Sequence, residues 1–185
     1  MRWRSWTLLL CAAVAMSGCA TARPSAGVAG DLPAFRQVDE GYYRGGQPSP
    51  EGLRRLARMG IRTVINLRHH TTRMDEERRL AESLGMRWIN IPIWYFWRPS
   101  DQQIRQFLVV ATTPANRPVF VHCRQGRNRA GIMTAMYRVA YQGWEPKRAY
   151  AEGQDCGLTP WNVLTRWILL HKARGMVASV PAPSS

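Results

Sequence analysis

His122-Cys123-Arg124-Gln125-Gly126-Arg127-Asn128-Arg129 sets a thiol and a guanidinium on either side of five residues, one of them glycine. The apolar run Pro118-Val119-Phe120-Val121 precedes it, and a helical pattern follows. A strand ending in cysteine lifts the sulfur to the edge of a sheet. The helix that opens next turns its unpaired backbone N–H groups into the loop, and such a cradle binds a tetrahedral dianion. The same surroundings lower a thiol's pKa from about 8.5 to somewhere within ~3.5–7.5, so the sulfur is a nucleophile at neutral pH. Arg129 grips two phosphoryl oxygens with its planar fork, and Gly126 lets the backbone close tightly around the anion. The octet therefore reads as the site of a phosphate-ester hydrolase. Cys123 attacks phosphorus, Arg129 holds the phosphoryl oxygens, and His122, Arg124, Gln125, Gly126, Arg127 and Asn128 line the substrate. Arg124 and Arg127 project from the loop, either toward further negative charge on the substrate or as a solvated basic patch. A buried structural thiol is the bland alternative for Cys123.

The elements needed to place this loop are legible around it. Ser49-Pro50-Glu51 supplies a cap, a first-turn proline and a first-turn acid for a helix presenting Leu53, Leu56 and Ala57 to a core. Gly60 ends that helix, residues 63–67 form a strand, and a charged helix runs from 72 to 84 up to Gly85. A strand covers 87–93. Ser100-Asp101-Gln102-Gln103 is a capping box ahead of the stripe Ile104, Phe107, Leu108, Ala111. After the strand 118–122 and the loop comes a helix with Ile132, Met136, Val139 and Ala140 on one face. Further helices start at Glu145-Pro146 and Thr159-Pro160, the last running to about 174. Strands alternating with helices specify an α/β fold: a three-layer sandwich with a largely parallel central sheet of four to five strands. Ligands in such sheets sit at the carboxyl ends of strands, where the loop lies.

The octet resembles the signature of the cysteine-dependent protein tyrosine phosphatase superfamily: His-Cys, five residues, then Arg. Tyr43-Arg44-Gly45-Gly46-Gln47-Pro48 and the segment Gly60-Ile61-Arg62-Thr63-Val64-Ile65-Asn66-Leu67-Arg68 are similar to the opening segments of dual-specificity-type members of the bacterial and plant/fungal atypical branch. The likeness runs from about 35 to 158. It implies a dual-specificity phosphatase-like fold, a cysteinyl-phosphate intermediate, no cofactor and no metal, with His122 tuning and positioning the loop. A rhodanese-like sulfurtransferase also has a cysteine-led, arginine-rich loop. That loop is shorter by one residue and would place its arginine at 128, where asparagine stands.

Two departures from the family pattern bear on rate. The residue after the signature arginine is usually serine or threonine, whose hydroxyl helps the thiolate leave phosphorus; Ala130 stands there, and Thr134 lies one turn further on. Members commonly supply an aspartate as general acid from a loop upstream of the cysteine, and Ile91-Pro92-Ile93-Trp94-Tyr95-Phe96-Trp97 has no carboxylate. Asp101 is the nearest candidate and Asp155 a second. Either Asp101 donates the leaving-group proton or it simply complements the helix dipole. The aromatic run is a substrate-facing wall, a membrane-touching lip or loop packing. His69, His70 and His171 read as loop or surface residues. A low-turnover domain that binds anionic phospho-ligands is the competing class.

Net charge is +14 over 185 residues, nearly all of the excess arginine, and this favours anionic partners. A leader lowers the expectation of nucleic acid. Arg2 and Arg4 precede a short apolar stretch, Thr7 to Met16, well short of the roughly 20 residues that span a bilayer. Met16-Ser17-Gly18-Cys19 then resembles a bacterial lipobox, and Ala20-Thr21-Ala22 is a competing ordinary cleavage site. The expectation is a signal peptide over 1–18, lipid on Cys19, a flexible tether over 19–34, a phosphatase domain over 35–174 and a disordered tail over 175–185. The anchored monomer would face the periplasm, with the outer membrane favoured and a soluble periplasmic form as the alternative. A phosphorylated anionic substrate and the membrane are the expected partners. Cys123 and Cys156 remain as thiols, with Cys156 either a buried structural residue or a disulfide partner.

Overall fold

A computed structural model describes residues 30–69, 71–94 and 99–159. The signal segment, Cys19, His70, residues 95–97, His171, the expected helix over 160–174 and the tail lie outside that set. In chain order the elements are β1 (Arg36–Asp39), β2 (Tyr42–Gly45), α1 (Pro50–Arg58), β3 (Thr63–Asn66), α2 (Thr72–Ser83), β4 (Arg87–Asn90), α3 (Asp101–Thr112), β5 (Val119–His122), α4 (Asn128–Ala140) and α5 (Pro146–Asp155). A short 3₁₀ turn, Pro114–Asn116, precedes β5.

The local signals act as expected. Ser49 Oγ accepts from the Gly52 N–H at 3.0 Å to start α1. Gly60 and Gly85 follow α1 and α2 with φ of +78° and +79°, in the left-handed region where an L side chain is strained. Both halves of the Ser100/Gln103 capping box form at α3.

The sheet order is β1-β2-β5-β3-β4. β1 pairs antiparallel to β2, and the other three pairings are parallel. Val64 and Phe120 point to one face and pack with Leu32, Leu53, Leu56, Ala81 and Met86 under α1 and α2. Ile65, Val119 and Val121 point to the other, against Phe107 and Leu108 of α3 and Met133, Met136 and Tyr137 of α4. This is the expected three-layer α/β sandwich. Gly45, His122, Asn66 and Asn90 lie in register across four neighbouring strands. All four following loops thus emerge on one edge, and that edge carries the site.

Three expectations are corrected. Residues 30–34 belong to the folded domain rather than to the tether: Leu32 is buried, the Asp31 carbonyl accepts from Ser49 N–H at 3.0 Å, and the Pro33 carbonyl accepts from Gly46 N–H at 2.7 Å. α4 has no single apolar face, because every residue from Ala130 to Ala140 is buried between the sheet, α3 and α5. Strands β3 and β4 stop at Asn66 and Asn90, since the backbone then bends into the site loops; Leu67, Ile91 and Ile93 remain buried beyond the strand ends.

Candidate active site

The loop between β5 and α4 encloses an open cavity of about 300 Å³ lined by Cys123, Arg124, Gln125, Asn128 and Arg129. Cys123 is only 3% exposed, so its sulfur forms the floor. α4 opens at Asn128 with no side-chain cap, and its first intrahelical bond runs from Gly131 N–H to the Arg127 carbonyl at 2.8 Å. The preceding N–H groups are left for an anion, with the helix dipole behind them.

The loop's shape is imposed from below. Gly126 has φ of +72°, and a Cβ there would sit 2.6 Å from Gly45 C and Gly46 N. Gln47 N–H donates to the Arg124 carbonyl at 3.2 Å. The Gly45-Gly46-Gln47 strap therefore lies against the loop, and a side chain at residue 126 would not fit the contact. Arg44, on the adjacent strand and 2% exposed, donates from Nη2 to the Gly126 carbonyl at 2.6 Å and the Arg127 carbonyl at 3.3 Å. It turns loop carbonyls downward, which frees the amides to face the cavity, and adds positive charge beneath the cradle. On the α5 side Asn128 Oδ1 accepts from Thr159 N–H at 3.0 Å and Thr159 Oγ1 at 3.2 Å.

His122 is wholly buried and joined through Nε2 to Glu77 Oε1 at 2.9 Å. The same oxygen accepts from Trp88 Nε1 at 2.7 Å and Asn66 Nδ2 at 3.1 Å, while Oε2 accepts from Gln47 Nε2. Burial alone would raise the Glu77 pKa. The His122 charge and hydrogen bond, followed by those of Trp88 and Gln47, outweigh it and hold the carboxyl at about 2. One ionised carboxylate thus ties α2, β3, β4, the strap and the residue before the nucleophile into one unit.

At the rim, Arg129 Nη1 points to the Leu67 and Ile93 carbonyls at 3.5 and 3.4 Å. Arg68 Nη1 donates to Gln47 Oε1 at 2.6 Å. Burial, then the Arg129 charge, then those of Arg124 and Arg73, pull the Arg68 pKa below its ordinary value. The His69 ring lies against Trp94, tilted by 39° with centroids 3.9 Å apart. Gln103 Nε2 donates to the Pro92 carbonyl at 2.6 Å, fixing the first turn of α3, where half-buried Asp101 sits, to the segment after β4.

The structure thus brings Cys123, Arg124, Gln125, Asn128 and Arg129 together around one space, with His122 and Gly126 buried beneath it. Arg127 turns away and donates to the Gly157 carbonyl at 3.1 Å. Asp101 stands on the rim helix and does not line the cavity. Ala130 is buried, and the Thr134 hydroxyl donates to the Ala130 carbonyl at 2.8 Å and meets Tyr42 OH at 3.0 Å, so it is committed within the core. Cys123 and Cys156 are both free thiols, and Cys156 is half-exposed. Sequence reasoning missed Arg44 as a loop anchor, Glu77 as the hub, and Arg68 and His69 as rim residues. Two of these carried a signal: Arg44 interrupts a strand, and Glu77 shares the helical spacing of buried Met74 and Ala81.

Comparison with known proteins agrees with this geometry. Dual specificity protein phosphatase TpbA of Pseudomonas aeruginosa is 28% identical over 116 residues, 62% of this chain and 50% of TpbA. Inositol diphosphatase DSP4 of Arabidopsis thaliana is 29% identical over 108 residues, 56% of this chain and 54% of that protein. A chloroplastic NAD kinase 2 from Oryza sativa is 28% identical over 106 residues, 55% of this chain and 11% of the kinase. The chain therefore spans about half the length of the two phosphatases and a small part of the kinase. The catalytic domain of the PP-IP phosphatase SIW14 from S. cerevisiae superposes with a TM-score of 0.68 at 18% identity, covering 76% of this chain and 85% of that one. P. aeruginosa TpbA superposes with a TM-score of 0.64 at 22% identity, covering 79% and 89%. These two likenesses speak for the fold. A family model described as "DSP-PTPase phosphatase fused to NAD+ Kinase" matches residues 31–159, more than half of the chain. The chain belongs to that family, the cysteine-based phosphatase domains of dual-specificity type.

Proposed function

We propose that this protein hydrolyses phosphate monoesters through a cysteinyl-phosphate. The observation that carries the reading is Cys123 on the floor of a cavity with Arg129 beside it and uncapped amides of α4 at its edge. Cys123 Sγ attacks phosphorus, while Arg129 and the loop amides hold the three equatorial oxygens. Asp101, on the rim turn that Gln103 pins to Pro92, protonates the leaving oxygen. Water then attacks phosphorus and the thiolate departs. Turnover of p-nitrophenyl phosphate, lost in Cys123→Ser while phosphate binding persists, is the expected result; turnover surviving in Cys123→Ser would overturn it. Asp101→Asn should lose more on phenyl phosphate than on p-nitrophenyl phosphate, and equal loss on both would remove Asp101 from the role.

Arg124 and Arg129 line the cavity and Arg68 lies within reach of both charges, which suits substrates carrying more than one negative group. TpbA has been solved in complex with pTyr, and relatives include inositol diphosphatases. We read both phosphotyrosine and inositol phosphates as within the substrate class, and a phosphate-release screen across them selects between the two. A low-turnover phospho-ligand-binding role is favoured by one feature, Ala130 in place of a hydroxyl. We also propose that the N-terminal segment exports the protein and that lipid on Cys19 anchors a monomer at the periplasmic side of an outer membrane. Release of Cys19→Ala into the soluble periplasmic fraction tests the anchor.

A further inference from the structure

We propose that Thr159 is a positioning residue of the active site: it holds the oxygen of Asn128 and so aims that amide's NH₂ group at the bound phosphate. The inference rests on the phosphate-binding half of the reading above. It adds a residue 31 positions beyond the one it orients.

Asn128 opens α4, precedes Arg129 and lines the cavity together with Cys123. Its Oδ1 accepts from Thr159 N–H at 3.0 Å and from Thr159 Oγ1 at 3.2 Å. A backbone N–H can only donate, so the amide oxygen must face Thr159 and the nitrogen must face away from it. None of the described residues accepts a hydrogen bond from Asn128 Nδ2. Asn128 is thus left as a donor on the wall of an open cavity of about 300 Å³ whose other lining groups suit an anion.

Thr159 is itself held by a short clip after α5. Leu158 N–H donates to the Gly153 carbonyl at 2.9 Å, and Gly157 N–H to the Gln154 carbonyl at 2.8 Å. The Leu158 side chain is 2% exposed and fills the space between α4 and α5. A Cβ on Gly131 would meet it at 3.6 Å, and one on Gly153 at 2.9 Å. Arg127 Nε donates to the Gly157 carbonyl at 3.1 Å. Three consecutive residues therefore grip the start of α4: Gly157 at Arg127, Leu158 at Gly131, and Thr159 at Asn128. The grip fixes the Asn128 rotamer before any ligand arrives, which lowers the entropy lost on binding.

A bound phosphate has room for this donor. Each terminal oxygen accepts more than one hydrogen bond, so the Asn128 NH₂ adds to Arg129 and the loop amides without displacing them. An amide donating to an anion makes a charge-assisted bond, worth roughly tenfold to a hundredfold in affinity. An amide free to flip would present its oxygen to the same anion, a repulsive contact. Thr159 removes that orientation.

Calorimetric titration of the full-length protein with inorganic phosphate tests the assignment, because binding needs no turnover. Asn128→Ala should raise the Kd about tenfold or more. Thr159→Val keeps the backbone donor and the side-chain shape but loses the hydroxyl. It should raise the Kd about threefold, and Thr159→Ser should restore the parental value. In the Asn128→Ala background Thr159→Val should change nothing further, since Thr159 acts only through Asn128. Circular dichroism melts confirm that each variant is folded at the titration temperature, and the Asn128→Ala arm leaves the clip itself untouched. A clip with a merely structural role would lower the melting temperature of Thr159→Val and leave the Kd parental. That result, an equal rise in Kd in both backgrounds, or a parental Kd in Asn128→Ala would each overturn the proposal. Phosphate binding by the parent without turnover of p-nitrophenyl phosphate removes the hydrolase reading alone; absence of phosphate binding by the parent removes both.

Discussion

Replacing Glu77 by Gln tests whether one buried carboxylate organises the site. The side chain is 3% exposed and accepts from Asn66 Nδ2, Trp88 Nε1 and His122 Nε2 at 3.1, 2.7 and 2.9 Å on one oxygen, and from Gln47 on the other. Gln is nearly isosteric, but its amide nitrogen must face one of these donors. Turned toward Gln47, it opposes a second NH₂. If Gln47 flips to accept, its Oε1 leaves Arg68 Nη1, now 2.6 Å away. At least one charge-assisted bond is lost either way, about 1.5–3 kcal/mol, and the remaining ones weaken with the loss of charge.

Linkage gives a second route to the magnitude. The carboxyl moves from its ordinary 4.5 to about 2 on folding, which corresponds to roughly 3 kcal/mol. The two agree, and for a domain of this size they translate to a fall in Tm of about 10 °C. The sign is fixed by proton binding. Because the folded pKa lies below the unfolded one, the contribution is complete above pH 4.5 and is lost as pH falls toward 2. Urea unfolding of parent and Glu77→Gln, followed by tryptophan fluorescence between neutral pH and about pH 3, should show a gap that narrows only in that acid window. A gap below about 1 kcal/mol at neutral pH, or one that stays constant through the window, would refute the reasoning.

Three further outcomes follow from the loop's supports. Gly126→Ala forces a side chain into the left-handed region, about 1–2 kcal/mol, and places its Cβ 2.6 Å from the strap backbone; thermal melts and kcat/KM should both fall, the latter more than tenfold. Arg44→Met keeps most of the buried volume but releases the Gly126 and Arg127 carbonyls, so the inhibition constant of inorganic phosphate should rise about tenfold or more while stability changes by less than about 2 kcal/mol. Ala130→Ser restores a hydroxyl at the first turn of α4; post-burst steady-state turnover of p-nitrophenyl phosphate should rise, and no change would show that thiolate departure is not limiting.

Much of this protein is readable in its primary structure because the signals are local. A cysteine and arginine separated by five residues at a strand-to-helix junction define a phosphate cradle whatever surrounds them, and Ser49, Gly60 and the Ser100/Gln103 box mark helix ends through bonds made within one turn. The alternation of strand and helix likewise implies the layered architecture before any contact is known. The tertiary structure alone decides what depends on residues distant in sequence. Arg44 reaches the loop across 82 positions and Glu77 reaches His122 across 45, and the parallel register that lines up Gly45, Asn66 and His122 makes both possible. α4 looks amphipathic in isolation and is enclosed on all sides because α3, α5 and the sheet meet there. Residues 30–34 look like linker and are folded because Leu32 finds a core and Asp31 a helix cap. His69 reads as a loop residue until the ends of β3 and β4 set its ring against Trp94. Local chemistry names the nucleophile and the clamp; burial, register and charge summed over distant residues decide what holds them ready.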